Sequence, residues 1–108
     1  MTIPWQRVRV SGPSMVPALR HGDTVIVRHG AHIRPGDVVL ATFHALPERL
    51  VLKRAVRVLD DGSWWLASDN VFAGGDSAAH GAADVHGRVV LRVSRGLPRL
   101  VRRPHAGR

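Results

Sequence analysis

Fifteen of the sixteen basic residues in this 108-residue chain are arginine. The sixteenth, Lys53, lies inside the apolar run LVLKRAVRVL (50–59). Arginine cannot act as a base in a protein, because its pKa stays above ~12, whereas burial can lower a lysine from ~10.4 until its neutral amine is available. A strand period of two places Lys53 on one face with Val51 and Ala55, and turns Arg54 to the other. Such neighbours desolvate an ammonium and supply no counter-charge. The plain alternative is a surface lysine that escaped replacement by arginine. A second chemical group is Ser14, in VSGPSMVPAL (10–19). Serine in a turn is usually only a turn residue, but Gly12 and Pro13 set a sharp bend that presents Ser14 at the end of a strand, with apolar Met15 beside it. A serine nucleophile needs a rigid mount, a base and backbone N–H groups aimed at the developing oxyanion. Pro13 has no N–H, so this turn offers that of Ser14.

The elements that must position these groups read as strands. RVRV (7–10) alternates strictly, and DTVIV (23–27), DVVLATF (37–43), LVLKRAVRVL (50–59), SWWLA (63–67) and GRVVLRV (87–93) are rich in valine, leucine and aromatics. His21-Gly22-Asp23 and Pro35-Gly36-Asp37 each open a strand, and Asp60-Asp61-Gly62 reads as a hairpin turn. No segment keeps a helical period over three turns, although residues 14–20 suit one short turn after the bend. The fold class is therefore mainly β, in a single small domain over 1–94. Adjacent Trp64 and Trp65 point to opposite faces, one into the core. Residues 68–84 form a long loop of small residues, the kind that is functional or disordered. Residues 95–108, RGLPRLVRRPHAGR, read as a basic, flexible tail, frayed or draped on the surface.

Composition narrows the chemistry further. No cysteine is present, which excludes disulfides and thiolate catalysis. The seven histidines are scattered; His29 and His32 are closest, without a third ligand at suitable spacing, so no metal or other cofactor is expected. No apolar run reaches the ~18–20 residues that span a bilayer, which predicts a cytoplasmic or membrane-peripheral chain. The net charge of +8 suits an anionic membrane, touched through the tail, nucleic acid or an acidic substrate; an arginine-rich genome composition explains it as well. Nucleic-acid binding is disfavoured, because single-strand binders interleave aromatics with basic residues and this chain has five aromatics, two of them adjacent.

Taken together, the motifs resemble a known family. Gly12-Pro13-Ser14-Met15-Val16-Pro17 resembles the G-x-S-M-x-P box of type I signal peptidases. Gly22-Asp23 and Gly36-Asp37 are similar to the two GD turns that follow it, Lys53-Arg54-Ala55-Val56 to the lysine box, and Asp69-Asn70 with Asp76-Ser77 and Gly81 to the terminal box. The boxes occur in family order from Gly12 to about Val93. The resemblance implies a coiled antiparallel β fold, Ser14 as nucleophile, Lys53 as general base, and an extended precursor segment bound by strand addition. It places Gly12, Met15 and the Ser14 N–H around the oxyanion turn, and Asp69, Asn70, Asp76 and Ser77 behind the dyad. Three positions depart from the family pattern. Ser68 replaces the glycine before Asp-Asn, Gly74 replaces the serine that orients the lysine, and Ala78 replaces the arginine that partners the aspartate. The expectation is that Lys53 turns to Ser77 or a water. Length, the absence of an anchor and Trp-Trp-Leu look more like the short branch of nickel-type superoxide dismutase maturation proteases, which are thought to remove a leader peptide, than like the membrane-bound signal peptidases.

Four other readings compete: a self-cleaving domain of the SOS-repressor type, for which no helix-turn-helix or Ala-Gly cleavage loop precedes Ser14; an inactive relative retained as an interaction module; a small basic β-barrel that binds nucleic acid; and a Ser–His–Asp triad using His44 or His80 with Asp69 or Asp76. His80 falls at the aromatic position before the family's last glycine, which reads as packing.

Overall fold

The computed structural model describes residues 4–94 and 96–103; Arg95 and residues 104–108 of the basic segment lie outside them. The chain is mainly β. Its strands are β1 (Trp5–Arg9), β2 (Thr24–His29), β3 (Val38–Phe43), β4 (Leu50–Val58), β5 (Trp64–Ala67), β6 (Ala83–Ser94) and β7 (Leu97–Leu100), with one short helix, α1 (Ser77–His80), between β5 and β6. All seven strands join one antiparallel sheet in the order β1-β2-β6-β3-β4-β5. β7 pairs with β6, and a Trp64–Ala83 pairing brings β5 back to β6, so the sheet curls on itself.

The continuous apolar run of β3 is explained by burial on both faces. Val38 and Leu40 enter one cluster with Val10, Met15, Leu19, Val25, Val27 and Val89, while Val39, Ala41 and Phe43 enter a second with Ala55, Trp64, Leu66 and Ala83. Trp64 is therefore the core member of the tryptophan pair. Trp65 is half-buried, with the Arg57 guanidinium 5.2 Å from its ring centre.

The two GD turns share one construction. Gly22 and Gly36 adopt φ of 90° and 94°, the left-handed region that glycine reaches without a steric penalty. The following aspartate folds back to accept the N–H three residues upstream, Arg20 to Asp23 at 2.9 Å and Arg34 to Asp37 at 2.8 Å. Each turn then clamps a neighbouring segment through a reciprocal backbone pair. The first holds Val10, just before the serine bend, by Val10 N–H to Asp23 O and Gly22 N–H to Val10 O. The second holds Ala55, just after the lysine, by Gly36 N–H to Ala55 O and Ala55 N–H to Asp37 O. Turn chemistry far from either reactive group in sequence thus fixes the backbone beside both.

The segment expected to drape as a tail is partly built into the sheet. Leu97–Leu100 pairs with Leu91–Ser94, Val101 N–H bonds Val90 O, and Arg103 meets buried Asp37 at 3.3 Å.

Candidate active site

Ser14 leaves β1 through the bend that the sequence announced. Gly12 sits at φ +83° and its N–H donates to His21 Nδ1 at 3.0 Å, so it shapes the turn and its own N–H is already engaged. Val16 N–H bonds Pro13 O, and Leu19 N–H bonds Met15 O at 2.8 Å, a single helical turn directly after the serine. Met15 is 1% exposed among Val10, Leu19 and Leu40. Its side chain anchors the turn to the core, and burial of a methionine there contributes about 1.5–3 kcal/mol.

Lys53 comes from the middle of β4, opposite Val39 on β3, and is only 5% exposed. It shares a cavity of about 430 Å³ with Ser14, walled by β1 with the serine turn on one side, Leu50–Lys53 on the other, and Ala73–Gly75 of the loop after β5. Burial pushes the Lys53 amine below the usual lysine range; the Arg49 charge adds to that, and the Asp76 carboxylate opposes it.

The partner of this amine is Ser68. Lys53 Nζ donates to Ser68 Oγ at 3.0 Å, and the Ser68 hydroxyl donates in turn to Gly74 O at 2.8 Å. Gly74 O can only accept, which commits the hydroxyl proton to it. Ser68 therefore offers Lys53 a lone pair, and a neutral Lys53 keeps its own lone pair for another group. Sequence comparison marked Ser68 as a lost family glycine; the structure shows it supplying the hydroxyl that Gly74 lacks. Ser77 does not take this part. Ser77 is 1% exposed, and its hydroxyl accepts Leu66 N–H at 2.7 Å, tying α1 to β5. The signal that could have found Ser68 was a hydroxyl residue at the end of a strand paired with that of the lysine.

The other residues of the terminal box hold the frame. Asn70 bridges to the serine turn, with its N–H on Ser14 O at 2.8 Å and its side-chain amide on Pro13 O at 3.1 Å. Asp69 forms a fork with Arg54, at 3.1 and 2.5 Å, and Arg54 also donates to Gly36 O. Asp76 caps α1 through Ala78 N–H at 3.1 Å. The two histidines weighed as bases lie elsewhere. His44 pairs with Asp84 at 2.9 Å on the surface, and the His80 ring lies 5.1 Å from that of Phe43. Neither lines the cavity with Ser14, and Asp69 and Asp76 are engaged as described, so among the described residues no Ser–His–Asp triad is assembled. Among the described residues no group of three histidines, cysteines or carboxylates is placed to hold a metal ion, and no helix is long and apolar enough to cross a membrane.

The curled antiparallel sheet thus brings a strand-end serine and a buried lysine to one cavity. Residues 6–90 match the family model described as Peptidase S24-like, and the chain belongs to that family. The match supports the broad resemblance seen in the ordered boxes, to peptidases of the S24 and signal-peptidase-like kind. A comparison with curated proteins finds no match.

The burial of Lys53 has a directly measurable result. As the sole lysine, it gives one side-chain signal in protein labelled with 13C-lysine, and that signal should titrate below the ordinary ~10.4. Because folding lowers this pKa, the unfolded chain holds the proton more tightly. The stability cost of burying Lys53 is then full below its native pKa and disappears as pH rises toward the unfolded value. A midpoint at the ordinary lysine value would show that burial does not tune the amine.

Proposed function

We propose that this chain is a serine endopeptidase that removes an N-terminal leader from a precursor protein, with Ser14 as nucleophile and Lys53 as general base. The observation that carries the proposal is the cavity shared by Ser14 and Lys53, in which the amine is desolvated and Ser68 fixes the direction of its hydrogen bond. Neutral Lys53 takes the Ser14 proton as Oγ attacks the scissile carbonyl. The Ser14 N–H faces the oxyanion, and the collapsing intermediate expels the leaving amine with the proton from Lys53. Lys53 then activates a water that hydrolyses the acyl-enzyme and frees Ser14.

Strand geometry supports an extended substrate. β1 pairs only with β2, and β5 pairs with β4 only from Arg54 onward. Among the described residues, then, β1 and Leu50–Lys53 each present an unpaired backbone edge, and both flank the cavity. A peptide laid between them gains main-chain hydrogen bonds as an added strand. The precursor of a nickel superoxide dismutase is the candidate substrate, on the resemblance of Trp64-Trp65-Leu66 before Asp69-Asn70 to the maturation proteases of that enzyme. Incubation with this precursor, followed by mass measurement of the product, should yield one new N-terminus. An intact precursor alongside cleavage of other leaders would reject that substrate and keep the peptidase; no cleavage of any leader would reject both.

A further inference from the structure

The groove around Ser14 and Lys53 carries two more charges, both positive. Arg9, the last residue of β1, and Arg49, immediately before β4, line it, and no aspartate or glutamate does. Both are exposed. Among the described residues neither takes part in an ion pair, whereas Arg54 and Arg103 are held by carboxylates. Once Lys53 is neutral, these two guanidinium groups are, among the described residues, the formal charges that line the groove.

Their positions are ordered relative to the dyad. Four antiparallel steps, β1–β2–β6–β3–β4, separate the two strands, so β1 and β4 run in the same sense. Arg9 precedes Ser14 and Arg49 precedes Lys53, which puts both arginines to one side of the reactive pair. With a rise of about 3.3 Å per residue, the Arg49 backbone lies roughly 13 Å along β4 from Lys53, a span that about four residues of an extended peptide also cover.

We infer that the groove selects peptides bearing an aspartate or glutamate about three to five residues from the bond to be cut, and that Arg9 and Arg49 are the residues that read it. This rests on the proposal that the groove holds an extended peptide. The planar guanidinium matches a carboxylate through two parallel hydrogen bonds, a recognition that lysine does not reproduce. It also protects the chemistry. A carboxylate seated on these arginines is neutralised there, so it does not draw a proton back onto Lys53, whose amine the Arg49 charge already helps keep low.

Fluorescence anisotropy of labelled peptides on the Ser14→Ala protein tests this without relying on turnover. Peptides with glutamate three to five residues from a small-residue site should bind about two- to fivefold tighter than their glutamine counterparts. Arg49→Glu and Arg9→Glu should each lower that ratio, and the double variant should favour a lysine-bearing peptide. Arg102→Glu, the same charge change outside the groove, should leave the ratio in place, which separates local recognition from the net charge of +8. The ratio within one variant is insensitive to partial unfolding, which scales both peptides alike. Equal affinities, no saturable binding of any peptide, or an equal loss of preference in Arg102→Glu would overturn the inference. Cleavage of the same peptides by the unmodified protein, measured in parallel, judges the peptidase proposal separately.

Discussion

Lys53→Arg is expected to abolish leader cleavage as fully as Ser14→Ala, a loss of about 10²–10⁴-fold in kcat/KM, the contribution of a positioned general base. The substitution is informative because it keeps almost everything except basicity. Arginine retains the positive charge, the long apolar stem and hydrogen-bond donors able to reach Ser68 Oγ, but it does not surrender its proton. If Lys53 acted only by placing a positive charge near the developing oxyanion, arginine would preserve much of the rate. Lys53→Ala does not separate the two roles, since it also empties a buried site. Steady-state cleavage of one peptide by the three variants, with thermal unfolding as the check on folding, makes the comparison. Substantial turnover by Lys53→Arg would remove Lys53 from the role of base.

Ser68→Ala is expected to lower kcat/KM by about 10–100-fold. Lys53 becomes an ammonium as it takes the Ser14 proton; a hydrogen bond to a charged group contributes about 1.5–3 kcal/mol, and each 1.36 kcal/mol is tenfold in rate. The 3.0 Å bond from Lys53 Nζ and the 2.8 Å bond to Gly74 O belong to the same hydroxyl. Its loss therefore frees the amine to rotate and also leaves the Gly74 carbonyl without this donor. The apparent pKa of the pH–rate profile should move with the rate, which a purely structural loss would not produce. Ser68→Thr, which keeps the hydroxyl, should recover most of the activity. An unchanged Ser68→Ala enzyme would show that the amine needs no fixed partner. Moving the hydroxyl to position 74 is not equivalent, because Gly74 adopts φ +66°, where any side chain is strained.

Much of the fold was legible because burial imposes simple patterns. Six strands follow the alternation or apolar runs that mark them, and the Asp60-Asp61-Gly62 turn closes as expected, with Gly62 at φ +86°. The departures have physical reasons. β7 is hidden in the sequence by Pro98 and Arg99, which read as a tail; proline is tolerated because, among the described residues, β7 has a sheet neighbour on one side only. The start of β6 and helix α1 read in the sequence as part of one long loop, because SAAH and AADV carry no period long enough to detect.

Of the candidate site, the residue types at positions 14 and 53 carried a chemical meaning, and the cavity they share could be expected from the resemblance. The link through Ser68 could not. It depends on the β4–β5 register, which sets Arg54 opposite Ala67 and so brings the next residue, Ser68, beside the lysine. A comparison of boxes records Ser68 and Gly74 as two separate departures, whereas in space one hydroxyl and one carbonyl form a single bonded pair.

The most direct measurement is the mass of the enzyme itself during cleavage of a leader peptide, quenched in acid and digested. The dyad predicts an acyl adduct of the leader on the peptide that contains Ser14, present in the unmodified protein and absent in Ser14→Ala, which leaves the precursor whole. Cleavage at an undiminished rate by Ser14→Ala, with no adduct at that position, would contradict the assignment of Ser14 and Lys53 as the reacting pair.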